Sequence, residues 1–351
     1  MAGHHPRDRG RCARRGSRAV RARSILRRQA EAAEDIGLAP WMASELEFTV
    51  FDETPGSLVD KGYTGLRPHG AELHPELVEQ IGHDEDFLLK LRETLVASGI
   101  PVESVKSEYS VGQFEMVVSP GSAMDSADRH VVYKLAVREV ARRYGLAATF
   151  MSKWHESFGG SSCHVHISLN DGNGHNVFAE GRDDDLRHFV AGVQRYARDV
   201  FLLWAPYPNS YKRFQDGSFA PTALGWGDDN RTAAIRVTGT GPGRHIENRI
   251  PGADSNPYLA YAGLLAAGLA GIEDKLDPET EAAGGNAYGR NDQPLLPRNV
   301  EEAIEAFESS AFARERLGGD VVDHVANFCD KEAQASRMAV TDWDRRRLFD
   351  V

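Results

Sequence analysis

Cysteine is scarce in this chain: Cys12, Cys163 and Cys329 are the three in 351 residues, too few and too scattered for a disulfide framework or a cysteine-type zinc site. No apolar run is long enough to cross a bilayer, and no apolar signal core follows the arginines at the start, so a cytoplasmic location without a membrane partner is expected. Repeats and low-complexity linkers are absent as well. The glycine cluster Gly239-Thr240-Gly241-Pro242-Gly243 lacks the Lys-Ser/Thr ending and the βαβ setting of a phosphate-cradling loop, and reads as a plain flexible loop. Positive charge is thin outside the first 28 residues. Those carry ten arginines against Asp8, a local +9, so with −11 overall the remainder stands near −20. That acidic body argues against nucleic acid as a substrate or partner. Arg7, Arg9, Arg11, Arg14, Arg15, Arg18, Arg21 and Arg23 follow no apolar stripe, so residues 1–23 read as a disordered Arg-rich extension. A bland extension is preferred there to a nucleic-acid-binding or organellar-targeting segment. Residues 24–351 remain as one domain, and at 41% hydrophobic the chain suffices for a large core.

What is present is a set of metal-type ligands on four short segments: Glu45-Leu46-Glu47, Glu108 with Gly112-Gln113-Phe114-Glu115, His164-Val165-His166, and Glu247-Asn248-Arg249. Each reads as a strand or strand end, because β-branched and aromatic residues alternate with the polar ones. Residues i and i+2 of a strand share a face, so Glu45 projects with Glu47 and His164 with His166, while Cys163 points away as a packed thiol. A solvated strand face is the duller reading of the glutamates, and a satisfied histidine that of His164. Phe48, Val50 and Phe51 after the glutamates favour a buried strand. Unpaired carboxylates on a buried face cost several kcal/mol each, and hard divalent cations such as Mg²⁺ or Mn²⁺ are the usual compensation.

Helical periodicity marks Ser24 to Ala33 and Asp86 to Ala97, the latter with Phe87, Leu88, Leu91, Leu95 and Val96 on one stripe and Gly99 as its stop. A third helix runs from Asp125 to Tyr144, ended by Gly145, with Val131, Leu135 and Val140 expected to face inward. Asn256-Pro257 is a capped start, and the alanine- and leucine-rich run to Gly271 predicts a buried central helix. Gly172-Asn173-Gly174 predicts a hairpin turn leading into a following strand. Helices with antiparallel strands and no βαβ alternation place the fold in the α+β class.

Taken in order, these motifs resemble the glutamine synthetase family from about Ser24 to the C-terminus. Ser44-Glu45-Leu46-Glu47-Phe48 and Glu108-Tyr109-Ser110-Val111-Gly112-Gln113-Phe114-Glu115 are similar to its two metal strands. Phe150-Met151-Ser152-Lys153 with Ser162-Cys163-His164-Val165-His166-Ile167-Ser168-Leu169 resembles its nucleotide and metal segment. Asn209-Ser210-Tyr211-Lys212-Arg213, Asn230-Arg231-Thr232-Ala233-Ala234-Ile235-Arg236 and Ile246-Glu247-Asn248-Arg249 resemble its arginine-bearing core, and Asn256-Pro257-Tyr258-Leu259-Ala260 the start of the following helix. The resemblance implies an antiparallel sheet lined with metal ligands and covered by helices. It implies ATP and Mg²⁺ or Mn²⁺ as cofactors, and ligation of the γ-carboxyl of glutamate to an amine through a γ-glutamyl phosphate. By the same resemblance, Glu47, Glu108 and Glu115 hold the metal nearer the substrate carboxylate, and Glu45, His164 and Glu247 the one on the ATP phosphates. Arg231 and Arg236 are the implied catalytic phosphate contacts, with His166 and Ser168 on the nucleotide side. Glu47, Gly160, Arg213, Arg249 and Phe219 form the implied substrate-binding set.

Departures from the family pattern narrow the acceptor. Ammonia-using members carry a glutamate just before Ala-Pro in the loop after Tyr-Lys-Arg, and Phe219 stands in its place in Gln215-Asp216-Gly217-Ser218-Phe219-Ala220-Pro221. A ring accepts no proton but offers its face to an organic ammonium. The loop is similar to that of the γ-glutamyl-polyamine and γ-glutamyl-ethanolamide ligases, so glutamate and a small organic amine are the expected partners, with ammonia the alternative. Gly159 replaces an asparagine of the glutamate-binding loop, and His245 a phosphate-binding arginine. Members of the family also begin with a small β-grasp domain that meets the neighbouring subunit in a homo-oligomer, and no segment here resembles it. The chain therefore reads as a catalytic domain without that half, and a catalytically impaired structural or regulatory relative is the further alternative.

Overall fold

The computed structural model describes residues 19–70, 82–288 and 292–351; the Arg-rich segment as far as Arg18 lies outside them. In chain order the first elements are α1 (Ala22–Asp35), β1 (Ala39–Phe51), α2 (Pro55–Asp60), α3 (Glu85–Ala97), β2 (Val102–Ser107), β3 (Gln113–Val118) and β4 (Gly121–Ser122). Then come α4 (Ala123–Arg143), β5 (Ala147–Thr149), β6 (Cys163–Asn170), α5 (Asp183–Val200), β7 (Trp226–Asp228), β8 (Ile235–Thr238) and β9 (His245–Asn248). Helices α6 (Pro257–Glu273), α7 (Val300–Ser309), α8 (Ala311–Leu317), α9 (Gly319–Met338) and α10 (Asp342–Leu348) complete the order. Arg23, at the end of the stretch read as an extension, is part of α1 and pairs with Asp128 at 2.7 Å.

Among the described residues nine strands form one sheet in the order β2-β3-β1-β6-β9-β8-β7, with β4 and β5 also paired to β1. All pairs are antiparallel except β7 with β8. Alternation along the strands divides the sheet into an apolar and a polar face. Met42, Leu46 and Phe48 of β1, Phe114 and Met116 of β3, and Cys163, Val165 and Ile167 of β6 are buried in the core. The residues between them, Glu45, Glu47, Glu115, His164 and His166, project to the other side. Phe48 fixes the apolar side of β1, its ring 5.9 to 6.3 Å from those of Phe114, Tyr133 and Phe150. Helices α4 and α1 cover that side, and α6 packs beyond them against α1 and α5.

Helix α6 is buried on nearly every side, as its composition predicts. Asn256 Oδ1 accepts the amides of Tyr258 and Leu259 at 3.1 and 3.4 Å, and Pro257 opens the first turn where its missing N–H is harmless. Glycine lets α5 and α6 touch backbone to backbone: a Cβ on Gly192 would lie 2.2 Å from the Ala267 carbonyl oxygen.

Three local expectations are corrected. In α4, Val140 is buried, but Val131 and Leu135 are 45% and 60% exposed. The inward face consists of Ala127, His130, Tyr133, Val137 and Val140, because small and aromatic side chains fit against β1 and α6 and the bulkier Val131 and Leu135 fall on the opposite side. Val96 of α3 is likewise half exposed, lying off the stripe formed by Phe87, Leu88, Leu91 and Leu95. The turn at Gly172 to Gly174 leads to an isolated Asn170–Asn176 bridge rather than to a strand.

Candidate active site

On the polar face lies a cavity of about 610 Å³, lined by Glu45, Glu47, Glu108, Glu115 and His164 together with Gly160, Arg213, Phe219, Arg231 and Arg249. Strand register brings these side chains together. Glu45 stands opposite His164, Glu47 opposite Glu115, and Glu247 opposite both His166 and Arg236. Side chains directly opposite on one face are near neighbours, so residues as far apart in sequence as Glu45 and Glu247 converge.

The carboxylates fall into two groups. Glu47 is buried and accepts from the Ser162 amide at 2.9 Å, the Ser162 hydroxyl at 2.6 Å and Gln113 Nε2 at 2.7 Å. Burial, and then the charge of Glu108, nevertheless hold its carboxyl above the usual range. Glu115, 1% exposed, is pushed up by burial and then by Glu45. Lys106 offsets this, with Nζ 3.0 Å from Glu115, 3.1 Å from Glu108 and 3.4 Å from Glu45.

The second group lies across β1. Glu45 Oε2 is 3.1 Å from His164 Nδ1 and 3.3 Å from His166 Nε2. Burial would raise Glu45, but its hydrogen bonds with the two histidines outweigh this and draw it well below the carboxylate range. Glu247 is fully buried and accepts from Arg236 Nη1 at 2.8 Å and from Arg249 Nη1, with His164 Nδ1 at 3.3 Å. Its burial is outweighed by the charges of His164, His166 and Arg249, which bring it down to about 2. His164 is lowered to about 4 by burial and then by Arg249.

Glu45, His166 and Glu247 can bring one ligand atom each within 4.8 Å of one another. His166, expected on the nucleotide side, thus shares the cage of the expected ligand His164. His245 Nδ1 donates to the Gly243 carbonyl at 2.7 Å, so its Nε2 accepts from His166 Nδ1 at 3.0 Å, and His166 Nε2 is directed at Glu45. A second nitrogen oriented by a hydrogen bond is the ordinary setting of a metal-binding imidazole. Carboxylate oxygens beside imidazole nitrogens can hold a divalent cation such as Mg²⁺ or Mn²⁺.

The arginines supply the opposite charge. Arg213, 2% exposed, donates through Nη2 to the Ile250 carbonyl, and burial lowers it to about 10. Its Nε and that of Arg249 are buried without a partner among the described residues, and both side chains line the cavity. Gly160 has to be glycine here: a Cβ would lie 2.5 Å from Arg213 Cγ and 2.7 Å from the Ser152 carbonyl oxygen. Arg231 is exposed at the cavity wall, and Arg236 joins Asp229 to Glu247. Ser168 follows His166 on the same face of β6, opposite Trp41, and does not line the cavity.

Phe219 sits at the mouth, 53% exposed, with a backbone φ of +60° that a bulky residue adopts only under strain. Its ring lies 5.5 Å from that of Tyr109. Tyr109, Glu156 and Lys106 line the cavity but were not selected from the sequence. Lys106 could have been found by the same parity that selected Glu45 and Glu47, since it lies two residues before Glu108 and directly opposite Glu115.

The profile of the glutamine synthetase catalytic domain matches residues 19–348. The chain is 44% identical over 330 residues to the gamma-glutamylethanolamide synthetase of Streptomyces coelicolor, covering 93% of this chain and 71% of that protein. It is 34% identical to the glutamate–isopropylamine ligase of a Pseudomonas species, with 94% and 73% covered, and 32% identical to the gamma-glutamylputrescine synthetase of Escherichia coli K12, with 89% and 67% covered. Among solved structures, the GmaS/ADP complex superposes with a TM-score of 0.85 at 27% identity, over 95% of this chain and 78% of the other. With the profile spanning nearly its whole length and Glu45, Glu47, Glu108, Glu115 and His164 lining one cavity, the chain belongs to the glutamine synthetase family and carries its catalytic domain.

Proposed function

We propose that this protein is an ATP-dependent ligase joining the γ-carboxyl of glutamate to a small organic amine through a γ-glutamyl phosphate. The observation that carries the choice of acceptor is Phe219, an aromatic ring at the cavity mouth in the position where ammonia-using relatives place a carboxylate. Relatives named as a gamma-glutamylethanolamide synthetase, a glutamate–isopropylamine ligase and a gamma-glutamylputrescine synthetase support it.

Divalent ions held by Glu47, Glu108 and Glu115 on one side, and by Glu45, His164 and Glu247 on the other, would neutralise charge developing on the transferred phosphoryl group. The remaining work falls to the chain itself. Arg213 and Arg249, which line the cavity, bind the glutamate carboxylate, and Gly160 leaves the space in which Arg213 lies. Arg231 and Arg236 contact phosphate oxygens, while His166, beside Glu45, lies on the nucleotide side. Phe219 and Tyr109 present ring faces to an ammonium carrying a carbon chain, an attraction worth about 0.5–2 kcal/mol. Glu156 and Asp216 are further carboxylates of the same cavity.

The test is a panel of ethanolamine, putrescine, isopropylamine and ammonium at equal concentration with ATP, glutamate and Mg²⁺, read by product mass. Organic amides are expected to dominate, and Phe219→Glu is expected to move the ratio toward glutamine by about 10² or more, the usual value of a placed acid–base group. Glutamine as the main product of the unaltered protein would refute the organic acceptor.

A further inference from the structure

Lys106 is a cation inside a cage whose carboxylates are arranged for metal. Three features place it there. It lies on the edge strand β2 directly opposite Glu115, so the two side chains share a face. Glu108, two residues on, shares it too. Nζ meets one oxygen from each of three glutamates, Oε1 of Glu45, Glu108 and Glu115, at 3.4, 3.1 and 3.0 Å, matching the three N–H donors of an ammonium. Glu45 divides its two oxygens, Oε1 toward Lys106 and Oε2 toward His164 and His166.

We propose that Lys106 is an internal counter-ion that competes with a divalent cation for Glu45, Glu108 and Glu115, so that metal enters this part of the cage by displacing its ammonium. This rests on the reading of the cage as a divalent-metal site. A Mg²⁺ ion draws its oxygens to about 2.0–2.1 Å. An ammonium touching those same oxygens would then stand within a few ångströms of a double positive charge, which repels it strongly in a partly buried site. Lys106 has a way out: its side chain is 34% exposed, and its four-carbon stem can carry the charge to solvent at the sheet edge. The lysine thus holds the carboxylates together at low metal and raises the metal concentration at which the site fills.

The experiment titrates Mn²⁺ into the full chain and into Lys106→Met, without nucleotide, by calorimetry and by the paramagnetic signal of free Mn²⁺. Melting temperatures are recorded in chelator and in saturating Mn²⁺. Lys106→Met is expected to bind Mn²⁺ at least about tenfold more tightly, because a positive charge beside three carboxylates is removed. It is also expected to melt several degrees lower in chelator and to recover that loss in Mn²⁺. Lys106→Arg keeps the charge and is expected to bind no more tightly than the unaltered protein. If the Met variant fails to fold, Lys106→Gln takes its place with the same expected direction. Unchanged or weaker Mn²⁺ binding in the neutral variant overturns the proposal. A higher KM for glutamate alongside unchanged Mn²⁺ binding also overturns it, and makes Lys106 a substrate contact instead. Mn²⁺ binding to neither protein removes the metal reading of the cage and this proposal with it.

Discussion

Replacing Glu247 by glutamine tests whether the carboxylate cage is held by opposing charge or merely by packing. The side chain is fully buried between Arg236, Arg249 and His164, and the substitution keeps its shape while removing its charge. Two routes give a magnitude. The fall of its pKa from 4.5 to about 2 corresponds to about 3 kcal/mol at neutral pH, at about 1.4 kcal/mol per tenfold change in proton affinity. Because the folded value is the lower one, this contribution is present above pH 4.5 and is lost as pH falls toward 2. Removing one partner of a buried pair independently costs about 3–5 kcal/mol, since the guanidinium groups of Arg236 and Arg249 stay buried. Urea unfolding at pH 7 in chelator is therefore expected to show a loss of about 3 kcal/mol for Glu247→Gln. Glu115→Gln is expected to behave oppositely, neutral or stabilising in chelator, because burial and Glu45 already work against its charge. Both variants are expected to lose Mn²⁺ affinity. A loss under about 1 kcal/mol for Glu247→Gln, or equal losses for the two variants, would refute the charge-based account.

Two further expectations concern other parts of the molecule. His69 is clamped between Asp84 at 2.6 Å and Asp52 at 2.5 Å, and the hydrogen bond with Asp84, ahead of that with Asp52, raises it to about 9. The raised folded value means stability that is full below pH 6.5 and lost as pH climbs through 9; after allowance for the partly exposed Asp52, His69→Gln is expected to cost about 1–3 kcal/mol at pH 6 and little at pH 10, and a gap that stays constant across that range would exclude the clamp. Gly160→Ala would force Arg213 aside and is expected to raise the KM for glutamate by at least about tenfold with a smaller change for ATP; unchanged kinetics would mean that Arg213 does not bind the carboxylate.

The polar face of the sheet was legible in the sequence because strand parity leaves little choice. Once Phe48 and Val165 are inside, Glu45, Glu47, His164 and His166 must project to the other side. Helix faces were less legible. In α4 the stripe containing Val131 and Leu135 looked as good as the true one, and only the surface of β1 and α6 decides that Ala127, His130 and Tyr133 turn inward. The His69 clamp was invisible for a similar reason, since Asp52 and Asp84 come from separate elements and no local pattern announces them. Lys106 was overlooked although its position obeys the same parity as the glutamates, because a lone lysine in a strand is ordinarily a solvated charge.

The alternation of β1 also limits how this protein can change over generations. A single inserted or deleted residue between Met42 and Phe48 would turn every side chain beyond it over, presenting Phe48 to water and Glu47 to the helices, so that segment can be edited only by substitution or in steps of two. Gln215 to Ala220, bearing Phe219, belongs to no strand and is free of that arithmetic. Mutation can lengthen, shorten or retune the mouth of the cavity while the carboxylates beneath it stay in register.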